Sequence, residues 1–431
     1  MDWLPPRVLV VGLARAGRAA VDALRRYEVE VVAYDADPDV EAAGLNAELR
    51  LGAWDDAVLD GVGLLVKSPG VPGEAEPVAA ARRLGVPVVS EIELGARLLP
   101  NPFAVVSGTN GKTTTTALLG AMLEAGGVPV EVAGNIGRAL TSLVGNASPE
   151  AWVVCELSSF QLEDVTTLAP RVAVLTNLEP DHLDRHGTFE RYAAIKLTMF
   201  ERQGENDTAI VPRGFGPIPG AARRVEFAGD DPLPAEPRIR GAHNRENAAA
   251  AVAAARAIGV PDEAIARALE TFPGVEHRIE EIGTLDGVLY VNDSKATNAA
   301  AARRALAAFA GRRKHVILGG RGKAEPYAAL AAAFEPGDRA YLIGEAAEAL
   351  AEVLTAVDVS TVMSRDLAHA LADAAAAASA GDVVLLSPAC ASFDQFRDFE
   401  HRGQEFRRLA QKLPGWRRSG DQSGVSSSNA S

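Results

Sequence analysis

Cysteine, lysine, aromatic residues and long apolar runs are all scarce in this chain, and each scarcity excludes something. Two cysteines, Cys155 and Cys390, cannot build a disulfide framework in 431 residues, and they fit a reducing, cytoplasmic setting. No stretch reaches the roughly 18 uncharged apolar residues of a membrane span, so no membrane partner is expected. Positive charge is short as well: 43 Lys plus Arg against 57 Asp plus Glu gives 43 − 57 = −14. Such an acidic chain has no footprint for a phosphate backbone, and nucleic acid is not an expected partner. Met1-Asp2-Trp3-Leu4-Pro5-Pro6 lacks a basic stretch followed by an apolar one, so no signal peptide is expected. Lysine is the scarcer cation, at positions 67, 112, 196, 295, 314, 323 and 412, leaving 36 of the 43 basic residues as Arg. Where Arg is the default cation, a remaining Lys marks a position that needs an amine, because a guanidinium is a fixed fork and no nucleophile. Lys314 and Lys412 are expected to be solvated surface residues instead.

What the chain does contain is ample core material, 48% hydrophobic against 23% charged residues. At roughly 150 residues per domain the length predicts about three domains. Strands at Arg7–Val11, Val29–Tyr34, Leu64–Val66 and Pro87–Val89 alternate with helical stretches, which implies a mainly parallel, doubly wound sheet. Asn101-Pro102 reads as a boundary. A second unit carries strands at Phe103–Ser107, Trp152–Glu156 and Val172–Thr176. Residues 212–237 read as a Pro/Gly-rich ordered excursion or loop, followed by a helix over 247–258. The pattern breaks again at Phe272-Pro273-Gly274. A third unit shows strands at Val288–Val291, His315–Leu318, Arg339–Ile343 and Asp382–Leu386. The expected domains are therefore 1–100, 101–274 and 275–418, with a Ser/Gly-rich disordered tail at 419–431.

Gly12-x-x-x-x-Gly17 joins a strand to a helix, with Asp35 closing the next strand. This suits either a nucleotide-binding turn or a plain tight turn; Ala14 stands where a dinucleotide fingerprint needs its middle glycine. Ser107-Gly108-Thr109-Asn110-Gly111-Lys112-Thr113-Thr114 is far more specific. It lies between an apolar strand and a helix, so successive backbone N–H groups can cradle phosphates. Lys112 can neutralise the outer ones, and the Thr113 hydroxyl can bind Mg²⁺. Two neighbouring strands end in Glu156-Leu-Ser-Ser-Phe-Gln161 and Asn177-Leu-Glu-Pro-Asp-His182-Leu-Asp184. In a parallel sheet these clusters share the edge of the phosphate loop, where Glu156 is a hard-oxygen ligand for Mg²⁺. His182 gains interest only from this position, and Lys196 reads by itself as an ordinary helical lysine. Asn292–Asn298, Gly319-Gly-Arg-Gly-Lys323 and Ser387-Pro-Ala-Cys-Ala-Ser392 likewise follow strands in the third unit and predict a second ligand-binding edge.

With these motifs in place, residues 5–413 resemble the Mur ligases, ATP-dependent amide ligases that extend the peptidoglycan stem peptide. The phosphate loop is shared with the wider superfamily, including folylpolyglutamate synthetases. The stretches at 156–161, 292–298 and 387–392 with 394–396 look like the D-glutamate-adding branch. The resemblance implies an α/β chain of three domains: a Rossmann-like N-terminal domain, a central P-loop ATP-binding domain with a mostly parallel sheet, and a Rossmann-like C-terminal domain. It implies UDP-N-acetylmuramoyl-L-alanine and D-glutamate as substrates, and a cytoplasmic monomer is expected. Asp35, Ser68, Gly70 and Asn135 would hold the UDP-muramoyl substrate. ATP would lie on Gly108–Thr114 with Asn244 and Asn247, and Arg278, Asp293 and Lys295 would complete its site. Thr297, Lys323, Ser392 and Phe399 match positions that hold D-glutamate.

The lysine of the family that matches Lys196 is carbamylated. CO₂ added to a neutral amine turns a +1 group into a −1 oxygen ligand, which with Thr113, Glu156 and His182 would hold two Mg²⁺ ions. Lys112, His182, Lys196 and Lys295 are the implied catalytic residues. Two features depart from the pattern: Arg321 stands where an acidic residue is usual, and Phe393 replaces a more typical Leu. The expected reaction phosphorylates the L-alanine carboxylate and lets an amine capture the acyl phosphate, with closure of the third domain before chemistry. A folate-directed ligase, an NAD-dependent oxidoreductase built on Gly12–Gly17, and a nucleotide sensor without catalysis are the rival readings.

Overall fold

The computed structural model describes residues 3–322 and 326–418. It divides into two compact units: 1–238 with 243–272, and 239–242 with the chain from 273 onward. The first unit opens on β1 (Arg7–Val11), β2 (Glu30–Asp35), β3 (Glu48–Leu51), β4 (Leu64–Lys67) and β5 (Val88–Ser90), with helices α1 (Arg15–Leu24), α2 (Glu76–Arg83) and α3 (Glu91–Leu98). These strands form one parallel sheet in the order β3-β2-β1-β4-β5. The chain leaves β1 in opposite directions along this sheet, so a crevice opens at the carboxyl ends of β1 and β4.

The same unit holds a second sheet of β6 (Phe103–Ser107), β7 (Val130–Gly134), β8 (Trp152–Glu156), β9 (Val172–Leu175), β10 (Thr208–Pro212) and β11 (Arg223–Phe227). Its order is β11-β10-β9-β6-β8-β7, again parallel throughout. Helices α4 (Lys112–Ala125), α5 (Ser159–Leu162), α6 (Leu183–His186), α7 (Phe189–Glu201), α8 (Ala242–Ile258) and α9 (Asp262–Thr271) accompany it. β6 is buried on both faces, as a central parallel strand of mainly apolar character must be. One continuous hydrophobic cluster includes Val8, Val66, Ile92, Val105, Cys155 and Leu175. Two sheets therefore share a single core and behave as one compact body.

The second unit contains β12 (Glu280–Leu285), β13 (Val288–Asn292), β14 (Lys314–Gly319), β15 (Arg339–Ile343), β16 (Ser360–Met363), β17 (Val383–Leu386) and β18 (Arg417–Arg418). The order is β16-β15-β14-β17-β13-β12-β18, and only β12 runs antiparallel to its neighbours. Helices α10 (Ala299–Ala308), α11 (Ala328–Ala331), α12 (Ala347–Thr355), α13 (Leu367–Ala377) and α14 (Phe399–Ala410) cover its two faces, which bury separate apolar clusters. The α/β class with three mostly parallel sheets agrees with expectation. No helix among the described residues is long and apolar enough to cross a membrane. The tail at 419–431 lies outside the described residues.

Two sequence expectations need correction. The excursion at 212–237 contains β11, an edge strand whose residues Arg223–Glu226 alternate too weakly to announce it. Lys314 is not a solvated residue: it is fully buried at the start of β14, with Nζ 2.6 Å from Glu335 Oε2 and 3.2 Å from Asp338 Oδ2. Asp338 is itself buried, so removing the amine strands a carboxylate away from water. Lys314→Met is expected to destabilise the fold by about 3 kcal/mol or more, read as the fall in stability on denaturant unfolding. An unchanged midpoint would mean that the pair contributes nothing.

Candidate active site

The phosphate loop is built where β6 meets α4, at the point where the second sheet's connections diverge. Gly108 and Gly111 carry φ of +146° and +81°. A Cβ at Gly108 would stand 2.0 Å from Thr176 Oγ1, and one at Gly111 would stand 2.1 Å from Asn247 Oδ1. Both glycines are therefore required by conformation and by close approach. The end of β9 grips the loop: Asn110 N–H donates to Asn177 Oδ1 at 2.9 Å, and the Thr176 hydroxyl donates to Asn110 O at 2.5 Å. Thr109 Oγ1 accepts from Glu179 N–H and lies 3.0 Å from the Tyr192 hydroxyl. Lys112 folds back so that Nζ donates to Gly108 O and Thr109 O, both at 2.9 Å. Thr113 and Thr114 are buried at the start of α4, and Asn244 and Asn247 are buried on α8 beside the loop.

Lys196 is the unusual group here. It is 1% exposed, its Nζ donates to Gly108 O at 2.8 Å, and it sits 5.0 Å from the Tyr192 ring centroid. Burial, reinforced by the Lys112 charge, lowers its pKa to about 7, although Asp181 and Glu156 oppose the shift. Glu156, also 1% exposed, accepts from Asn135 Nδ2 at 2.8 Å through Oε1, while Oε2 is buried with no hydrogen-bond partner. His182 caps α6 with φ +50° and stays half exposed, its ring 4.8 Å from Phe160. No cluster of three or more His, Cys, Asp and Glu side chains able to hold a metal occurs among the described residues.

A cavity of about 440 Å³ opens at the carboxyl ends of β1, β2 and β4, lined by Gly12, Asp35, Ser68, Pro69 and Gly70 among others. Asp35 holds the turn that shapes it: Oδ2 accepts from Leu13 N–H at 2.7 Å and Oδ1 from Asp37 N–H at 3.0 Å. The Ser68 hydroxyl donates to Gly12 O at 2.7 Å. A Cβ on Gly17 would meet Gly12 O at 1.8 Å, so Gly17 serves the close packing of turn and helix.

Within the second unit, loops after β13, β14 and β17 meet. Asp293 is buried and accepts from the Ser387 hydroxyl at 2.7 Å and from Ile279 N–H at 3.1 Å; burial raises its pKa to about 7, against Ser387 and Arg278. Arg278 Nε is buried with no hydrogen-bond partner. Lys295 Nζ lies 5.2 Å from the Phe399 ring centroid, and the Ser294 hydroxyl donates to Phe399 O. Thr297 is half-buried and Ser392 buried. Arg321 pairs backbone groups with Ala391 and places its guanidinium 3.2 Å from Glu345. Its charge is thus answered locally at the surface. Lys323 lies outside the described residues.

Comparison with known proteins settles the family. Residues 6–90 match the Mur ligase MurD-like N-terminal domain, 106–214 the Mur ligase middle domain, and 277–390 the Mur ligase glutamate ligase domain. The chain belongs to the Mur ligase family. A relative from Sphingopyxis alaskensis, named UDP-N-acetylmuramoylalanine–D-glutamate ligase, is 46% identical over 94% of this chain and 97% of its own. Among solved structures, UDP-N-acetylmuramate-alanine ligase from Thermotoga maritima superposes with a TM-score of 0.59 at 18% identity, covering 94% of this chain and 99% of that one. A bifunctional folylpolyglutamate synthase/dihydrofolate synthase from Yersinia pestis reaches 0.54 at 21% identity, covering 74% and 92%. Both share the fold.

Mur ligases use ATP and Mg²⁺, and the residues present fit both. The glycine cradle has no room for side chains, and the unsatisfied Glu156 oxygen is a hard donor facing no partner. Parts of the Mur signatures are structural. Ser158 and Gln161 form a capping box on α5, and Asn298 caps α10 through Ala301 N–H. Sequence reasoning passed over Tyr192, although its spacing to Lys196, Met199 and Phe200 is the i, i+4, i+7, i+8 stripe of a buried helix face. That stripe also places Lys196 indoors. Gly111→Ala is expected to lower the nucleotide affinity of this Mur ligase by ~10-fold or more through the clash with Asn247; unaltered nucleotide binding in calorimetry would show that the loop tolerates a side chain.

Proposed function

We propose that this chain is an ATP-dependent, ADP-forming amide ligase that joins D-glutamate to UDP-N-acetylmuramoyl-L-alanine in peptidoglycan synthesis. The observation that carries the reading is a relative of that name at 46% identity across 94% of the chain. The folate-directed alternative has only likeness of fold at 21% identity in its favour. The oxidoreductase reading leaves the whole phosphate loop without a use.

Two oxygens of a carboxylate make it inert to amines at neutral pH, so the acid must first be activated. The terminal phosphate of ATP moves to an oxygen of the L-alanine carboxylate, releasing ADP and giving an acyl phosphate. The D-glutamate nitrogen then attacks the acyl carbon, loses its proton and expels inorganic phosphate. We assign ATP to Gly108–Thr114, Asn244, Asn247, Arg278, Asp293 and Lys295, with the Lys112 amine turning from its carbonyl partners to the outer phosphates. The 440 Å³ cavity with Asp35, Ser68, Gly70 and, farther along, Asn135 would take the UDP-muramoyl group. Thr297, Lys323, Ser392 and Phe399 would hold D-glutamate.

Two Mg²⁺ ions on Thr113, Glu156, His182 and Lys196 would supply Lewis-acid neutralisation of the phosphate charge. Lys196 fits that set only as a carbamate. Its pKa of about 7 leaves much of the amine neutral at physiological pH, so it can add CO₂ and release a proton. His182, which is half exposed, would accept the proton of the attacking amine only when it is not bound to Mg²⁺. ADP release that requires UDP-N-acetylmuramoyl-L-alanine and D-glutamate together is the expected result of a coupled assay. Turnover with a pteroate acceptor, and none with the muramoyl nucleotide, would reverse the assignment.

A further inference from the structure

Lys67 is one of the chain's few lysines and has no part in the ligation chemistry, yet it is among the most deeply buried charges in the molecule. It ends β4 with 0% exposure, and its Nζ lies 3.1 Å from Glu163 Oε2 and 2.9 Å from Asp164 Oδ2. These adjacent carboxylates follow α5, and Asp164 is held in the left-handed region at φ +59°. That conformation is uncommon for a residue with a side chain and is maintained only where the surroundings demand it.

Around the lysine the charges form a connected set. Arg185 Nη2 donates to Glu163 Oε2 at 2.7 Å and to Val71 O at 3.4 Å. His186 Nδ1 lies 3.7 Å from Glu163 Oε1, and Arg82 Nη2 donates to Asp164 Oδ1 at 2.7 Å. Burial pushes the Glu163 carboxyl up, but Arg185 and Lys67 outweigh it and hold it below the ordinary glutamate range. Phe160 completes the arrangement, with the rings of His182 and His186 at 4.8 and 5.5 Å and the Arg185 guanidinium at 5.3 Å.

The position of this set in the fold gives it a use. On one side, Lys67 runs directly into Ser68-Pro69-Gly70-Val71, the wall of the 440 Å³ cavity. On the other, Arg185 and His186 belong to α6, the four-residue helix that His182 begins. A helix this short has no stability of its own, so its place is set by Phe160 and Glu163 together with the contacts of His186 to Ser159 and Tyr192. We propose that Lys67 is a positioning residue that fixes the wall of the acceptor cavity against the turn carrying His182, so that an acceptor seated in the cavity presents its carboxylate in register with the phosphate-transfer residues.

Removing the amine leaves two adjacent carboxylates in a site where the arginines alone must answer them. Arg185 is then drawn from Val71 O, and both the cavity wall and α6 lose their common anchor. The inference rests on the proposed ligation and adds a residue to it. The set reaches the phosphate loop indirectly, through the His186 and Tyr192 rings at 5.5 Å and the Tyr192 hydroxyl 3.0 Å from Thr109 Oγ1, so acceptor binding should suffer more than nucleotide binding.

The test compares steady-state ligation by the wild type, Lys67→Met, Lys67→Arg and Arg185→Met, with KM measured separately for the muramoyl acceptor and for ATP. Lys67→Met is expected to lower kcat by ~10-fold or more and to raise the acceptor KM several-fold, with a clearly smaller change in the ATP KM, because small misplacements of reacting groups are that expensive. Lys67→Arg should recover part of the loss by keeping the charge. Arg185→Met cuts the same link from the α6 side, and it decides the matter if Lys67→Met does not fold. A lower melting temperature with both KM values and kcat unchanged in either folded variant would reduce the set to a structural brace and overturn the inference. A wild type that does not ligate at all would instead overturn the functional reading on which it stands.

Discussion

Lys196→Arg should lose ligation by at least ~10³-fold, the rate equivalent of about 4 kcal/mol of transition-state stabilisation. A protonated lysine and an arginine carry the same charge at similar length, so a purely electrostatic lysine would survive the exchange in part. A carbamate would not, because a guanidinium stays protonated and cannot add CO₂. The site is arranged to favour the neutral amine: burial comes first, and Lys112 adds a like charge, bringing the pKa to about 7. The sign follows directly. Above pH 7 most of the amine is neutral and open to CO₂; as pH falls below 7 it protonates and capture fails. Depleting dissolved CO₂ from the wild type at constant pH should therefore depress activity, and restoring it should bring activity back. Full activity in Lys196→Arg, with normal nucleotide binding, would remove the carbamate from the account.

Lys112→Met should cost nearly as much, by ~10³-fold in kcat/KM for ATP, with the fold retained. In this structure the ammonium donates to Gly108 O and Thr109 O, two carbonyls of the loop itself. The half-buried amine is thus parked where an outer phosphate could draw it away, exchanging charge-assisted hydrogen bonds to loop carbonyls for stronger ones to an anion. Methionine keeps the length and packing but carries no charge to meet the phosphate. The loop around it should persist, since its shape comes from Thr176, Asn177 and Glu179. A variant that binds and turns over ATP normally would show that the backbone cradle suffices.

Much of this was legible in the sequence. β6, β8 and β15 stand where the apolar runs put them, because central parallel strands are apolar on both faces and announce their own ends. The phosphate loop was legible for a different reason. Two glycines that take φ of +146° and +81° without strain, followed by a lysine at the head of a helix, form a cradle for phosphate. Edge strands were not legible. β11 has four residues in five at least partly open to solvent, and nothing apolar repeats along Arg223–Glu226. The buried lysines show the same divide. Lys314 follows Arg312-Arg313 and looks like the rim of a turn; its partners Glu335 and Asp338 come from a loop more than twenty residues away. Lys67 likewise finds its carboxylates beside the neighbouring sheet, 96 residues along the chain in the case of Glu163. Charge pairing across a fold leaves no periodic trace.

The transfer of phosphate to carbon-bound oxygen can be followed by isotope. With the L-alanine carboxylate of the acceptor labelled with ¹⁸O and D-glutamate present, one label should appear in the inorganic phosphate released, because the acyl C–O bond breaks when nitrogen attacks. Phosphate free of label, with ADP still formed, would mean that water takes the phosphate and that no activated acid is made.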